Sequence, residues 1–150
     1  MDEMIKVFDQ INVYGRENGM KLNVVEPGVI IYEMDITEKH LSSPQTAHGG
    51  IIAGLMDSVL GTGALSLAFT EKKLVSTVEF KINYFHPVKL GDHLVGKSHV
   101  EFKGKRIIAT SAEIHCSQTD LLVAKGLGTF NSYPLDKVNG QNIFPQSPLT

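Results

Sequence analysis

The chain has 150 residues, a length that suits one folded domain, and we expect that domain to span 1–150. With 42% hydrophobic and 20% charged residues, the composition excludes a disordered chain. Fourteen Lys and Arg against sixteen Asp and Glu leave a formal net charge of -2, so no basic field favours nucleic acid as a partner. The single cysteine, Cys116, excludes an internal disulfide, and the first ten residues lack the pattern of a signal peptide, so we expect a cytoplasmic protein.

The first third of the chain predicts a short helix followed by two strands. Residues 1–18 carry apolar side chains at the three-and-four spacing of an amphipathic surface helix. Residues 20–36 predict two strands, because Pro27 and Gly28 supply a tight turn and the apolar residues after it alternate with others. A polar loop is expected over 37–47.

The segment 49–70 is too long for a strand and apolar around most of its circumference, which predicts a buried helix. Its length also admits a membrane-spanning helix. However, several glycines and the central Asp57 weaken the apolar stretch, and the segments after it have the pattern of soluble strands. We therefore expect no membrane contact.

Four strands are expected after this helix, over 74–85, 93–103, 106–116 and 121–131. In the first of them, alternation puts one set of residues on one face and a second set on the other: Leu74, Val78, Phe80, Ile82 and Tyr84 against Thr77, Glu79, Lys81 and Asn83.

The order of these elements predicts the fold class. Runs of strands joined by short turns indicate a mostly antiparallel sheet, and a single long apolar helix needs such a sheet to cover it. We expect an α+β fold in which a curved sheet wraps one long central helix, with a short N-terminal helix. The core is expected over about 20–131, and residues 133–150, rich in Pro, Asn and Gln, are expected to form a weakly ordered tail.

Asp57 is the only ionisable residue between Gly49 and Thr70. A carboxylate that is buried and unpaired costs several kcal/mol, so something must offset that cost. On a helical wheel a stripe of small residues lies within about 60° of it: Ala53, Gly54, Gly61, Ala64 and Ala68. Such a stripe lets a backbone or a ligand approach closely, which fits a carboxylate at the floor of a cleft. A structural Asp that bonds a neighbouring loop fits the pattern equally well.

The expected helix begins with His48, Gly49 and Gly50. Glycines at a helix start leave backbone N–H groups unobstructed, and this end of a helix favours negative charge. A carbonyl oxygen that becomes negative during a reaction could be stabilised there, as in an oxyanion hole. Alternatively, the two glycines are a joint between loop and helix, and His48 is a capping residue.

Taken together, these residues form a longer pattern. Six residues separate the tripeptide His48-Gly49-Gly50 from Asp57. Two further segments follow: Tyr84-Phe85-His86-Pro87 and Leu90-Gly91-Asp92. The combination resembles the PaaI-type acyl-CoA thioesterases of the hotdog-fold superfamily over residues 20–131. That family's fold, a curved antiparallel sheet around one long helix, agrees with the element order above.

The resemblance implies a role for each matching residue. Asp57 would be the catalytic carboxylate, acting as nucleophile or as general base for water. Gly49 would supply the N–H that polarises the thioester carbonyl, with His48 beside it as a site residue. Thr77, in the strand after the helix, would orient the carboxylate or the water.

One position departs from the family pattern. Related enzymes commonly have Asn or Gln six residues before the motif histidine, where this chain has Ser42. A serine is shorter and has no amide, so the positioning of water is altered there. Gln45 lies three residues on and could substitute if the loop folds differently.

The resemblance also implies where CoA binds. The basic turn Lys103, Gly104, Lys105 and Arg106 would meet its phosphates, although the same residues suit a solvated hairpin tip. Tyr84 and His86 could line the pantetheine path. We expect no metal and no cofactor apart from CoA, which is part of the substrate. Relatives assemble as dimers or as dimers of dimers with sites built by two protomers, so we expect a homotetramer.

These observations predict an acyl-CoA thioesterase that acts on a small aromatic or medium-chain acyl group. Ser42 motivates an alternative, a non-catalytic acyl-CoA-binding or regulatory hotdog protein. A hotdog hydratase or dehydratase is a more distant alternative, because the sequence has no His-plus-acid arrangement in place of the His48-to-Asp57 spacing.

Overall fold

Over residues 2–137, the part of the chain described by this computed structural model, the fold contains three α-helices, six strands and three short 3-10 helices. The α-helices are α1 (Asp2–Ile11), α2 (Val13–Glu17) and α3 (Gly49–Ala68). The strands are β1 (Lys21–Glu26), β2 (Val29–Asp35), β3 (Lys73–Tyr84), β4 (His93–Lys103), β5 (Ile107–Cys116) and β6 (Leu121–Pro134). The 3-10 helices are Glu38–His40, Phe69–Glu71 and Leu135–Lys137.

The strands form one antiparallel sheet in the order β1-β2-β4-β5-β6-β3. Helix α3 packs against β2, β3, β4, β5 and β6, so one face of the sheet wraps the helix. The predicted α+β class, with an antiparallel sheet around one long helix, is confirmed. The order leaves β1 and β3 as the two edge strands, and at 12 residues β3 is the longer.

The core lies between α3 and the sheet. Leu55, Val59 and Leu60 of the helix are completely buried, and they face fully buried sheet residues such as Ile114 and Phe130. Burying each such side chain contributes about 1.5–3 kcal/mol. Within Gly49–Glu71 a window of 18 residues is apolar enough to cross a membrane, with a mean hydropathy of 1.6, but 61% of that window is buried inside the protein. Its apolar character is therefore explained by the core.

The N-terminal helix is divided in two, which the prediction of one helix over 1–18 missed. Asn12 lies between α1 and α2, and its Oδ1 accepts a hydrogen bond from the Gly15 N–H at 3.1 Å. This contact caps α2 and starts a new helix there. The Asn12 Nδ2 donates to the hydroxyl of buried Tyr32 at 3.4 Å. The break therefore ties the N-terminal segment to the core.

Strand β3 contains a bulge that makes the predicted alternation wrong. Thr77 pairs with Phe130 and Glu79 pairs with Thr129, so Val78 is an extra residue between two regular pairs. Because a bulge shifts the side-chain alternation by one, Thr77 lies on the helix-facing side together with Phe80, whereas Val78 is 58% exposed. The prediction that Thr77 shares a face with Glu79, and Val78 with Phe80, is therefore wrong at the bulge. Thr77 shares a face with Phe80 instead.

The C-terminal end of the sheet extends further than expected. Strand β6 continues to Pro134, which pairs with Lys73 at the start of β3, and the 3-10 helix Leu135–Lys137 follows it. The predicted weakly ordered tail is thus wrong for 133–137, because 133 and 134 pair with β3, and 135–137 form a 3-10 helix whose first N–H donates to the Lys72 carbonyl. Its remainder, 138–150, lies outside the described residues.

Candidate active site

Asp57 lies half-buried on α3, where a hydroxyl from the sheet meets it. The Thr77 Oγ1 donates a hydrogen bond to the Asp57 Oδ1 at 3.0 Å. The pair exists because the bulge in β3 turns Thr77 toward the helix. Both side chains line a cleft of about 180 Å³. Of the two roles left open by the sequence, the structure places the carboxylate at a cleft and not against a loop.

Part of the small-residue stripe is occupied by the chain itself. A Cβ built on Gly54 would collide with the hydroxyl of Tyr14 from α2, and one built on Gly61 would lie 3.2 Å from the Phe130 ring. Burial raises the pKa of the Tyr14 hydroxyl, and the negative charge of Asp57 raises it further. Sequence reasoning missed Tyr14, because periodicity within α2 gives no sign of which helix it contacts.

At the start of α3, His48 caps the helix. Its Nδ1 accepts a hydrogen bond from the Gly50 N–H at 2.7 Å, and its carbonyl accepts one from the Ile51 N–H at 3.0 Å. Within residues 2–137 the Gly49 N–H meets no acceptor. The Gly49 carbonyl is held by the Tyr84 hydroxyl at 2.7 Å. The capping role proposed for His48 is thus observed, and one exposed N–H remains beside it.

A second cleft, of about 230 Å³, lies at this end of the helix. Its lining includes Gly49, Tyr84 and His86. Burial raises the pKa of the Tyr84 hydroxyl, which donates to the Gly49 carbonyl. The His86 Nδ1 lies 2.8 Å from the Leu122 carbonyl, which fixes this nitrogen as the protonated one. The structure therefore brings three predicted site residues together here.

The two clefts are separate within one chain. Gly49 and Asp57 are eight residues apart on one helix, which corresponds to about 12 Å along its axis. A catalytic hydrogen bond spans only about 3 Å. One thioester carbonyl consequently cannot meet the Gly49 N–H and the Asp57 carboxylate of the same chain.

Ser42 lies in neither cleft. Its N–H and its hydroxyl both donate to the Thr46 carbonyl, at 2.9 Å and 3.4 Å, so the loop closes on itself. The side chain is exposed. The structure therefore does not bring Ser42 to Asp57 within one chain.

The basic turn lies at the other end of α3 from Gly49. Lys103 forms an ion pair of 2.6 Å with Glu71, just beyond the helix, and Lys73 forms one of 2.9 Å. These two lysines hold the pKa of the Glu71 carboxyl well below its usual range, at about 2. The 20-residue helix is about 30 Å long, so the turn is remote from the Gly49 cleft of its own chain. Lys105 and Arg106 are exposed.

Comparisons with known proteins agree with this architecture. The sequence model of the thioesterase superfamily matches residues 44–123. The chain is 33% identical over 130 residues to human acyl-coenzyme A thioesterase 13, covering 85% of this chain and 90% of that protein. It superimposes on the Escherichia coli PaaI protein with a TM-score of 0.76 at 20% identity, covering 86% and 90%.

A hypothetical thioesterase protein from Streptococcus pneumoniae, solved with coenzyme A, gives a TM-score of 0.73 at 20% identity, covering 87% of this chain and 97% of that one. The match of the superfamily model covers more than half of the chain, and the human relative is aligned over nearly all of its own length. The chain therefore belongs to the thioesterase superfamily, has the hotdog fold of its PaaI-type branch, and is a thioester hydrolase.

Proposed function

We propose that the protein hydrolyses acyl-CoA, releasing a small aromatic or medium-chain acid and the CoA thiol. The observation that carries this proposal is the Asp57–Thr77 pair, a carboxylate held by a hydroxyl at 3.0 Å on the wall of a cleft. The name of the human relative and the coenzyme in the S. pneumoniae structure support CoA as the thiol part of the substrate.

Asp57 activates the attack on the thioester. As a general base, its carboxylate takes a proton from water while the water oxygen attacks the carbonyl carbon. As a nucleophile, it attacks that carbon itself, and water then hydrolyses the resulting anhydride. In both routes the C–S bond breaks, and the sulfur leaves as a thiolate that takes up a proton. Thr77 holds one carboxylate oxygen in place, so the other is oriented for the reaction.

The complete site requires two copies of the chain. Because about 12 Å separates Gly49 from Asp57, the N–H that binds the developing oxyanion comes from Gly49 of a second protomer. The long β3 edge supports this arrangement, since a 12-residue strand with one unpaired side is a template for pairing with another chain. We expect a dimer through β3, and a dimer of dimers as the full assembly.

A substitution on this edge should separate the protomers and remove activity. Val78→Lys puts a charge at a 58% exposed position of β3, and charged residues block edge pairing. Val25→Lys is the matched control, because Val25 is 54% exposed on the opposite edge strand, β1. Light scattering should show a smaller particle only for Val78→Lys, with a parallel loss of thiol release. Equal masses for both variants would contradict the β3 interface.

The coenzyme is bound by residues from both ends of the helix. Tyr84 and His86 line the path that leads to Gly49. In the turn Lys103, Gly104, Lys105 and Arg106, Glu71 already neutralises Lys103, so the attraction for phosphate rests on Lys105 and Arg106. Since the turn is remote from Gly49 of its own chain, it serves the site of another copy.

Thr77 positions the carboxylate and should be replaceable only by another hydroxyl. Thr77→Val keeps the shape and removes the hydrogen bond to Asp57, whereas Thr77→Ser keeps that bond. Because hydrogen bonds to charged groups contribute about 1.5–3 kcal/mol, we expect kcat to fall by about 10–100-fold in Thr77→Val. Steady-state kinetics should show near wild-type kcat for Thr77→Ser. A similar loss in both variants would point to packing instead.

The function itself is tested by thiol release from a panel of acyl-CoAs that includes benzoyl, phenylacetyl and straight-chain forms. We expect turnover of at least one of them and no requirement for an added metal or cofactor. The Ser42 hydroxyl is bound to the Thr46 carbonyl, so positioning of the water falls to Thr77. Tight binding of every acyl-CoA without thiol release would instead favour an acyl-CoA-binding protein.

A further inference from the structure

Part of the lining of the Asp57 cleft comes from residues that have no role in the proposed reaction. Phe8 of α1 and the adjoining Asn12 lie on one side of the cleft, and Gly61 and Leu65 of α3 lie on the other. Asp57, Gly61 and Leu65 are spaced by four residues, so the cleft follows α3 for about 12 Å away from the carboxylate. The N-terminal segment therefore covers a groove that begins at the reacting group.

Most polar groups along this groove are bonded within the protein. The Ser58 hydroxyl donates to the Gly54 carbonyl at 2.9 Å. The Asn12 Nδ2 donates to the hydroxyl of buried Tyr32 at 3.4 Å. With these groups occupied, the side chains of Phe8, Leu65 and Phe130 remain to contact an apolar chain attached to the carbonyl that Asp57 attacks.

The N-terminal segment is fixed to the core at three places along its length. Near the carboxylate, the Tyr14 hydroxyl packs against the backbone of Gly54. In the middle, Asn12 joins α1 to α2 and reaches the core. At the far end, Ile5 is buried in a cluster with Leu65 and Phe69, and Phe8 packs against that cluster. Phe8 accordingly lies toward the end of the groove that is remote from Asp57.

We propose that the N-terminal helical pair α1–α2 selects the substrate by acyl-chain length, with Phe8 as the side chain that closes the far end of the groove. The inference rests on the proposed function, because the occupant of the groove is the acyl group of the thioester. It places a specificity-determining residue in a part of the chain that precedes the residues matched by the superfamily model, 44–123.

The test compares hexanoyl-CoA with dodecanoyl-CoA as substrates of the full-length chain. Phe8→Ala should lengthen the groove and raise the ratio of kcat/KM for dodecanoyl over hexanoyl by about tenfold or more, since single methylenes in apolar pockets change kcat/KM by about 10–200-fold. Val13→Ala is the control, because Val13 lies on α2 with 58% exposure and does not line the groove. Its ratio should equal that of the wild type.

Phe8→Leu keeps the contact with the Leu65 cluster and gives a readout if Phe8→Ala does not fold. It should shift the ratio in the same direction by a smaller factor. Folded variants that leave the ratio unchanged, or that lower both kcat/KM values equally, overturn the role of Phe8 while the wild type still hydrolyses acyl-CoA. A wild-type chain that releases no thiol from any acyl-CoA overturns the proposed function and this inference with it.

Discussion

Replacing Asp57 by Asn should reduce kcat by about 10²–10⁴-fold, the range expected when a general base or its equivalent is removed. Asn has the same shape, and its Oδ1 can still accept the hydrogen bond from Thr77, so the cleft should keep its geometry. What it lacks is the negative charge that takes the proton or attacks the carbonyl. The measurement is thiol release under saturating acyl-CoA, together with calorimetric binding of CoA.

A matched control separates loss of chemistry from loss of fold. Glu79→Gln also removes a carboxylate, but from an exposed position on the outer side of β3, and should leave kcat unchanged. CoA should bind both variants as it binds the wild type. If Asp57→Asn turns over its best substrate at the normal rate, Asp57 is not the catalytic carboxylate.

The second large effect is expected from Gly49→Pro, which deletes one N–H and leaves the helix intact. Proline is favoured at the first position of a helix. The preceding residue, His48, already has φ -66° and ψ 135°, the extended conformation that a following proline requires. The nearest atoms to a Cβ at Gly49 would be those of the Tyr84 side chain, at 3.7 to 3.9 Å, which is ordinary van der Waals contact. The substitution therefore fits the observed backbone.

Loss of an oxyanion donor raises the activation free energy by about 2.7–4 kcal/mol, so kcat should fall by about 10²–10³-fold in Gly49→Pro. Gly49→Ala adds a similar Cβ but keeps the N–H, and it should retain most of the activity. Circular dichroism and thermal unfolding of both variants check the fold. Equal kcat values for the proline and alanine variants would show that the Gly49 N–H does not stabilise the transition state.

The main elements of the fold follow from local patterns in the sequence. The apolar segment 49–70 corresponds to α3, and 93–103 corresponds to β4 without a shift. These predictions succeeded because a buried helix and a half-buried strand each impose a clear period on apolar residues. The division at Asn12 could not be predicted in this way, because it depends on contacts with Gly15 and Tyr32 that form only on folding.

Only those residues of the candidate site that are chemically unusual for their position could be predicted from the sequence. Asp57 stands out as a lone charge in an apolar helix, and the structure places it at a cleft. Its contact with Thr77 came from the resemblance and not from alternation, which puts Thr77 on the wrong face because an extra residue in β3 leaves no local signal. Tyr14 and Phe8 were missed because each meets α3 across about 40 or more residues of chain.

The cap at His48 explains why the helix begins with a pair of glycines. A Cβ on Gly50 would lie 2.7 Å from the His48 Nδ1, too close for two atoms that are not bonded, so any larger residue at 50 would displace the ring. The second glycine thus accommodates the histidine, and the first one carries the exposed N–H. Because the ring engages the Gly50 donor, the motif offers a ligand a single backbone donor, the Gly49 N–H.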